Sequence, residues 1–544
     1  VLIHEFLADP APSVGLPSSS FIELRNVSRH TVNLRNWKIS NAQTLASVKK
    51  DFLLGPDSLL IICATSAESD YRPYGSVLGL TGFPSLNHEA GEIILSSENG
   101  LVIHAVHYDK SWYRNELKSE GGWSLEMIDA KNPCGGSSNW TASEESGGGT
   151  PGKPNTAAVD NPDLQGPDLV STQVPDALHI LVLFSEPVDS LSAATPSNYT
   201  FSPDAGQPAE AVPLPPFYDQ VAITLQQPLL PQQVYRLSVR EVTDCMGNTI
   251  SSYNTGKSGL PEPPAAGDLL FNEVLFNPAP YGFDYVELYN ASQKVINLNH
   301  VFLAGRDILG TVKDPKRLVE ASFLFFPGEY AVLTENTDWV KQNYQIGHPE
   351  NLIAISAMPS MPDDHGTILI MDEAGMALDE LSYDHHWHSP LLANEEGVSL
   401  ERMRPDRPTN SASNWASASW SSGFGTPTDK NSANYADAGN RNLISVDPVL
   451  FSPDNDGYQD FCFVKYHLAQ GFTANISIYD MNGRAVKRLA NNYTLGEEGD
   501  FRWDGLDDAG NPLPIGHYVI LVNLFSLQGK MGKYKLLVTL ARKN

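Results

Sequence analysis

Residues 21–26 read Phe-Ile-Glu-Leu-Arg-Asn, and residues 285–290 read Tyr-Val-Glu-Leu-Tyr-Asn. Each is short and apolar, with a Glu at its centre and an Asn at its end, the form of a strand running into a turn. Upstream of them lie His4-Glu5-Phe6-Leu7-Ala8-Asp9-Pro10 and Asn272-Glu273-Val274-Leu275-Phe276-Asn277-Pro278, each a Glu-bearing strand stopped by Pro. Downstream, an Asn-Leu step recurs at Asn33-Leu34 and Asn297-Leu298.

The match tightens further along. Tyr108-Asp109 with Trp112 corresponds to Tyr383-Asp384 with Trp387, Ser124-Leu125-Glu126 to Ser399-Leu400-Glu401, and Asn139-Trp140 to Asn414-Trp415, all at one constant offset. Gly149-Thr150-Pro151 matches Gly425-Thr426-Pro427 with one residue added. Features in the same order at one offset mark a duplicated domain. Trp140 and Trp415 read as structural, closing the end of a core. Each copy ends in a small-residue exit, residues 143–155 and 419–431.

Between the copies, residues 177–189 and 220–248 read as further strands and tight turns, and a Pro-rich connection follows. After the second copy comes another run of short strands with polar hairpin turns. The expected fold is all-β: tandem immunoglobulin-like β-sandwich domains over 1–160, 166–262, 266–434 and 444–544.

The chain has 544 residues and a formal charge of −28, a field that repels nucleic acid and anionic lipid. No stretch approaches the roughly 20 apolar residues of a membrane span. Val1 is a poor translation start, so removal of an export signal is expected. Of the four cysteines, Cys63 and Cys462 lie in apolar runs and read as buried thiols; with Cys134 and Cys245 also far apart, no disulfide framework is expected.

The repeated unit resembles a lamin-tail domain, through the Glu strands ending at Pro10 and Pro278, the segments 21–26 and 285–290, Leu34 and Leu298, and the Asn-Trp and Thr-Pro endings. The middle unit resembles a bacterial immunoglobulin-like domain, through Phe184-Ser185-Glu186-Pro187-Val188 and Asp244-Cys245-Met246-Gly247-Asn248. The last resembles FlgD-like and gliding-motility-associated C-terminal domains, through residues 451–457, 478–483, Trp503-Asp504-Gly505 and Gly516-His517-Tyr518. These resemblances imply a secreted or cell-surface protein of the Bacteroidetes kind, with type IX secretion or gliding machinery as its setting. Asp454-Asn455 stands where Asn-Gly is usual, which weakens the sorting role.

Candidate chemistry is sparse. Asp454, Asp456 and Asp460 alternate around Gly457 and could wrap calcium; the competing reading is Asx turns that satisfy the loop's own amides. His385, His386 and His388 beside Asp384 are a second candidate metal site, for a transition metal. Asp384, His386 and His388 would share a strand face if alternation held, but the first copy has no histidines there, and exposed or hydrogen-bonded loop histidines are the plainer reading. Glu23 and Glu287 each stand alone on a strand, which favours structural hydrogen bonding over acid–base work. No nucleophile elbow, zinc-protease motif or phosphate loop occurs in its required setting, so no enzyme is expected. The expected function is a non-enzymatic surface or secreted scaffold or adhesion protein, with a surface protein or glycan as partner and its oligomeric state open. The alternative is a carbohydrate-binding or enzyme-accessory protein, using Tyr108, Trp112, Tyr113, Tyr383 and Trp387 as sugar platforms.

Overall fold

The computed structural model describes residues 1–203, 205–390, 392–433, 443–468, 472–526 and 531–542. The boundary drawn between 434 and 444 falls on residues 434–442, outside that set. The chain divides into two units, Val1–Leu260 and Pro261–Asn544. Both are mostly β, organised in several small, predominantly antiparallel sheets.

In the first unit the strands of the first copy are β1 (Leu2–Leu7), β2 (Phe21–Arg25), β3 (Lys38–Ser40), β4 (Leu45–Ser47) and β5 (Leu59–Ala64). They continue with β6 (Val77–Leu80), β7 (Ala90–Ser96), β8 (Val102–Asp109), β9 (Leu125–Met127) and β10 (Trp140–Ala142). One sheet has the order β10-β9-β1-β2-β5-β6 and the other β8-β7-β3-β4. Alternation explains what faces what. Phe6, Ile22, Leu24, Leu60, Ile62 and Leu125 meet Ile39, Ile93, Leu95 and Val106 of the second sheet in one core. The intervening Leu7, Phe21, Ile61 and Cys63 point the other way and form a second apolar cluster with Leu16 and Tyr71. The first sheet is therefore covered on both faces, which is why β5 reads Leu-Leu-Ile-Ile-Cys-Ala with no polar interruption.

The second copy, in the other unit, repeats this plan. Apart from the short pair Ile296–Asn297 and Leu324–Phe325, its strands begin with β11 (Leu269–Leu275), β12 (Tyr285–Asn290), β13 (Val301–Arg306), β14 (Val312–Arg317) and β15 (Tyr330–Thr334). The rest are β16 (Leu352–Ala354), β17 (His365–Asp372), β18 (Ala377–Asp384), β19 (Leu400–Arg402) and β20 (Trp415–Ser417). The sheet orders are β16-β15-β12-β11-β19-β20 and β14-β13-β17-β18. Trp140 and Trp415, 2% and 0% exposed, close the two cores as the sequence suggests.

Residues 169–258 add a four-stranded and a three-stranded sheet to the first unit, and residues 444–540 a three-stranded and a five-stranded sheet to the second. In the second unit the Arg502 guanidinium donates to the Trp415 carbonyl at 2.6 Å, and Asn455 Nδ2 to the Ala418 carbonyl at 2.9 Å. The longest described helix, α1 (Thr337–Asn343), has 7 residues. No described helix is long and apolar enough to cross a membrane.

One expectation fails. Cys134 and Cys245 form a disulfide, closing a sequence separation of 111 and tying the first copy to the middle sheets. Distance along the chain misled the reading: both cysteines sit in tight turns, one after Asn132-Pro133 and one after Asp244, and the fold brings the turns together. Cys63 and Cys462 are buried free thiols, as read.

Candidate functional site

The densest polar chemistry lies on the back of each six-stranded sheet, under the exit segment. In the first copy, Glu5 is the ladder partner of both Glu23 and Glu126, so three carboxylates stand in a row across β9, β1 and β2. All three are fully buried. What pays for this burial is the exit segment, which lays its donors along the row. The Thr150 N–H donates to Glu5 at 2.7 Å, the Thr150 hydroxyl to Glu126 at 2.9 Å and the Gly152 N–H to Glu23 at 2.5 Å. The Thr156 hydroxyl and Ala157 N–H add bonds to Glu126 at 3.0 and 2.8 Å, and the Ser124 hydroxyl reaches Glu5 at 2.6 Å. Asn155 Nδ2 donates to the carbonyls of His4 and Met127, fastening the segment to β1 and β9 together.

The second copy reproduces this bond for bond. Thr426 N–H and hydroxyl reach Glu273 and Glu401 at 3.0 and 2.8 Å, and the Thr428 N–H reaches Glu287 at 2.6 Å. Ser432 and Ala433 hold Glu401 at 2.8 and 2.6 Å, Ser399 holds Glu273 at 2.6 Å, and Asn431 spans the carbonyls of Asn272 and Arg402. The backbone agrees as well: Gly152 has φ +77 and Thr428, at the same place, φ 66. A Cβ on Gly152 would sit 2.0 Å from the Tyr74 carbonyl oxygen.

Adjacent buried carboxylates cannot all ionise. Burial, then Glu23, pushes Glu5 up to about 8; burial, opposed by the Gly152 amide and aided by Glu126, pushes Glu23 up to about 8. In the second copy burial raises Glu273, burial and Glu273 raise Glu287, and burial and Glu273 push Glu401 up to about 7. Burial, then Arg25, lowers His4 to about 4, so its 3.2 Å contact with Glu23 is a neutral hydrogen bond, not an ion pair. Each row is a latch in which burial favours the protonated carboxyls and the donated hydrogen bonds oppose it. Glu23 and Glu287 are each hydrogen-bonded within a row, and neither stands alone. The missed signal was the recurrence of Glu in all three duplicated strand motifs together with the duplicated Gly-Thr-Pro.

The proposed sugar platforms lie in the core. Tyr108, Trp112, Tyr113 and Tyr383 are 1%, 7%, 2% and 2% exposed, and Trp387 is partly buried with its ring 6.3 Å from that of Trp415. Burial removes the rings of Tyr108, Trp112, Tyr113 and Tyr383 from a ring-stacking ligand, while Trp387 is half-buried against the core. His388 also departs from the strand-face reading. The chain leaves β18 at Asp384 and enters a 3-10 turn, so alternation ends there. His388 is buried, bonds Ser417 through Nδ1 at 3.0 Å and is lowered to about 4 by burial and then His385. His385 and His386 remain outside with Asp384.

Asp454, Asp456 and Asp460 do converge, with one oxygen from each within 4.8 Å of the others. Asp460 accepts the N–H groups of Asp456 and Gly457 at 3.2 and 2.8 Å, while burial raises its pKa. The same loop grips the exit of the second copy: the Asn455 carbonyl takes the Trp420 N–H at 3.0 Å and the Asp456 carbonyl takes the Ser421 hydroxyl at 2.5 Å. A third group, unforeseen, joins Asp163, Glu186 and Asp244 in the first unit, where burial and then the neighbouring Asp163 push Glu186 up to about 7.

No protein-family model matches the chain, and no curated protein matches it. Among solved structures, the N-terminal part of the bacterial S-layer protein SbsC aligns at 12% identity over 40% of this chain and 43% of its own, with a TM-score of 0.17. A Ca2+-stabilized adhesin of an Antarctic bacterium aligns at 10% identity over 98% of this chain and 96% of its own, with a TM-score of 0.12. PorZ, a surface component of the type IX secretion system of Porphyromonas gingivalis, aligns at 10% identity over 97% and 74%, with a TM-score of 0.15. The chain thus spans less than half of the first of these, and TM-scores this low carry no argument about fold or function.

Proposed function

We propose that the chain is a non-enzymatic scaffold or adhesion protein, exported to the cell surface or secreted. Its units would be tandem immunoglobulin-like sandwiches: two lamin-tail-like domains, a bacterial immunoglobulin-like domain and a FlgD-like terminal domain. The observation that carries this is the duplicated latch. The buried carboxylates of both copies, the groups best suited to acid–base chemistry, are all bonded to the chain's own exit segments. Such a site resists deformation and offers no opening to a substrate. The Cys134–Cys245 bridge fits an oxidising compartment, where structural disulfides persist. Core placement of the aromatic residues weighs against the sugar-binding alternative.

Within this reading the 454–460 loop takes calcium. In its favour, Asp454 Oδ1 is buried and has no hydrogen-bond partner among the described residues, an oxygen set for a hard cation. Bound there, the ion would stiffen a loop that already holds the second copy to the last sheets.

Antibody labelling of intact cells that produce the chain tests the location. Labelling without permeabilisation is expected, together with loss of attachment to surfaces or neighbouring cells when the chain is removed. Labelling only after permeabilisation would end the proposal.

A further inference from the structure

The two copies supply an internal comparison at the corner that follows β18. In the second copy Asp384 caps the turn His385–Trp387 by accepting the His386 N–H at 2.9 Å. In the first, Asp109 caps the turn Lys110–Tyr113 by accepting the Ser111 N–H at 2.7 Å. The carboxylate partner is also shared: Lys110 donates to Glu120 at 3.2 Å, and His385 Nδ1 lies 3.4 Å from Glu395. Across the ladder, Asp109 pairs with Ala90, and Asp384 pairs with His365. The turn therefore forms without any histidine. Yet around one retained carboxylate, Ala90, Lys110 and Ser111 of the first copy are replaced by His365, His385 and His386 in the second.

Each of these imidazoles has its Nδ1 against a carboxylate: His365 on Asp364 at 3.0 Å, His385 on Glu395 at 3.4 Å and His386 on Asp384 at 2.7 Å. A carboxylate on Nδ1 keeps the proton there and leaves the Nε2 lone pair for a ligand, the support that metal-binding histidines usually have. The rings of His385 and His386 have centroids 4.0 Å apart, and one donor atom from each of Asp384, His385 and His386 lies within 4.8 Å of the others. Directly opposed residues on an antiparallel pair share a face with their Cβ atoms about 5 Å apart, which puts the exposed His365 on the face of Asp384, beside this group.

We infer that this corner is a transition-metal site. His385 and His386 supply Nε2, His365 supplies a third imidazole, and Asp364, Asp384 and Glu395 orient the rings. Imidazole nitrogen selects zinc, copper or nickel over calcium or magnesium, so the site differs in kind from the 454–460 loop.

Calorimetric titration of the full chain with Zn2+ alone, near neutral pH, tests this. The parent is expected to bind one ion here, and His385→Ala with His386→Ala to weaken that event roughly 10-fold or more, ligand loss costing at least what loss of an orienting partner does. Grafting the corner onto the first copy, as Ala90→His, Lys110→His and Ser111→His, should raise the stoichiometry by one ion while the far-ultraviolet dichroism stays unchanged. No zinc heat from the parent overturns the inference, as does parent-like affinity in the double alanine variant. If that variant does not fold, the graft decides: a folded graft with no added site also overturns it.

Discussion

His104 and Asp379 hold the same position in the two copies and do the same work with different chemistry. The His104 Nδ1 accepts the Ile3 N–H at 3.1 Å, and the Asp379 carboxylate accepts the Phe271 N–H at 2.9 Å. Both amides precede a bulge, where β1 shifts register between Ile3 and Glu5 and β11 between Phe271 and Glu273. The bulged residues, His4 and Asn272, each turn to the glutamate of the next strand. His104 must be neutral for this, and burial lowers it to about 4. A lowered histidine contributes stability that is present above its unfolded value near 6.5 and lost as pH falls through about 4. Replacing His104 with Ala should destabilise the first unit by about 1–3 kcal/mol by stranding the Ile3 amide, read by chemical denaturation.

The glutamate rows act in the opposite sense. A carboxyl raised from 4.5 to about 8, as Glu5 and Glu23 are, contributes stability that is present below 4.5 and lost as pH rises through 8. Thermal unfolding of the chain should therefore show a fall in midpoint between about pH 6.5 and 8.5, where the histidines no longer offset it. Glu23→Gln, which keeps a carbonyl for the Gly152 amide and cannot ionise, should flatten that fall. An unchanged slope in this variant would remove Glu23 from the account.

Opening the latch should expose the exit segment before the sheets unfold. Thr150→Ala removes a hydroxyl placed between Glu5 and Glu126 and should cost about 1–3 kcal/mol. Gly152→Ala should act more strongly, because its Cβ has no room. Hydrogen exchange at the amides of residues 150 and 152, which donate to Glu5 and Glu23, reports the result: both should exchange faster in the variants than in the parent at temperatures where the core tryptophans remain buried.

Reduction should separate the roles of the cysteines. Cys134→Ser with Cys245→Ser should lower stability by about 2–5 kcal/mol, as removal of a bridge closing a loop of this length does. Peptide mapping without reductant should recover the 134–245 pair, with Cys63 and Cys462 unreactive to alkylation until the chain unfolds.

The duplication and the strands were legible because alternation and offset are properties of the line of sequence. Asn139-Trp140 and Asn414-Trp415 marked the core ends correctly for that reason. The latch was not legible, since Glu5, Glu23 and Glu126 become neighbours only when β9, β1 and β2 align. Nor does alternation tell a core face from a covered back face, so Ile61 and Ile62 read alike though they enter different clusters. The Cys134–Cys245 bridge and the loss of alternation at His385 both arise at turns, where one residue changes direction and periodicity stops informing. The carboxylates of the 454–460 loop were legible because they lie within a few residues of one another.

The latch also fixes how a copy would bear tension. Glu5 lies in the opening strand and Thr150 at the close of the same copy, and they are bonded directly. A pull on the two ends of the copy loads this short bridge of carboxylates and amides together with the ladder that pairs β1 to β2 and β9. The opening strand and the exit of each copy are thus cross-braced by side chains, so tension is shared between a strand ladder and a row of buried carboxyls.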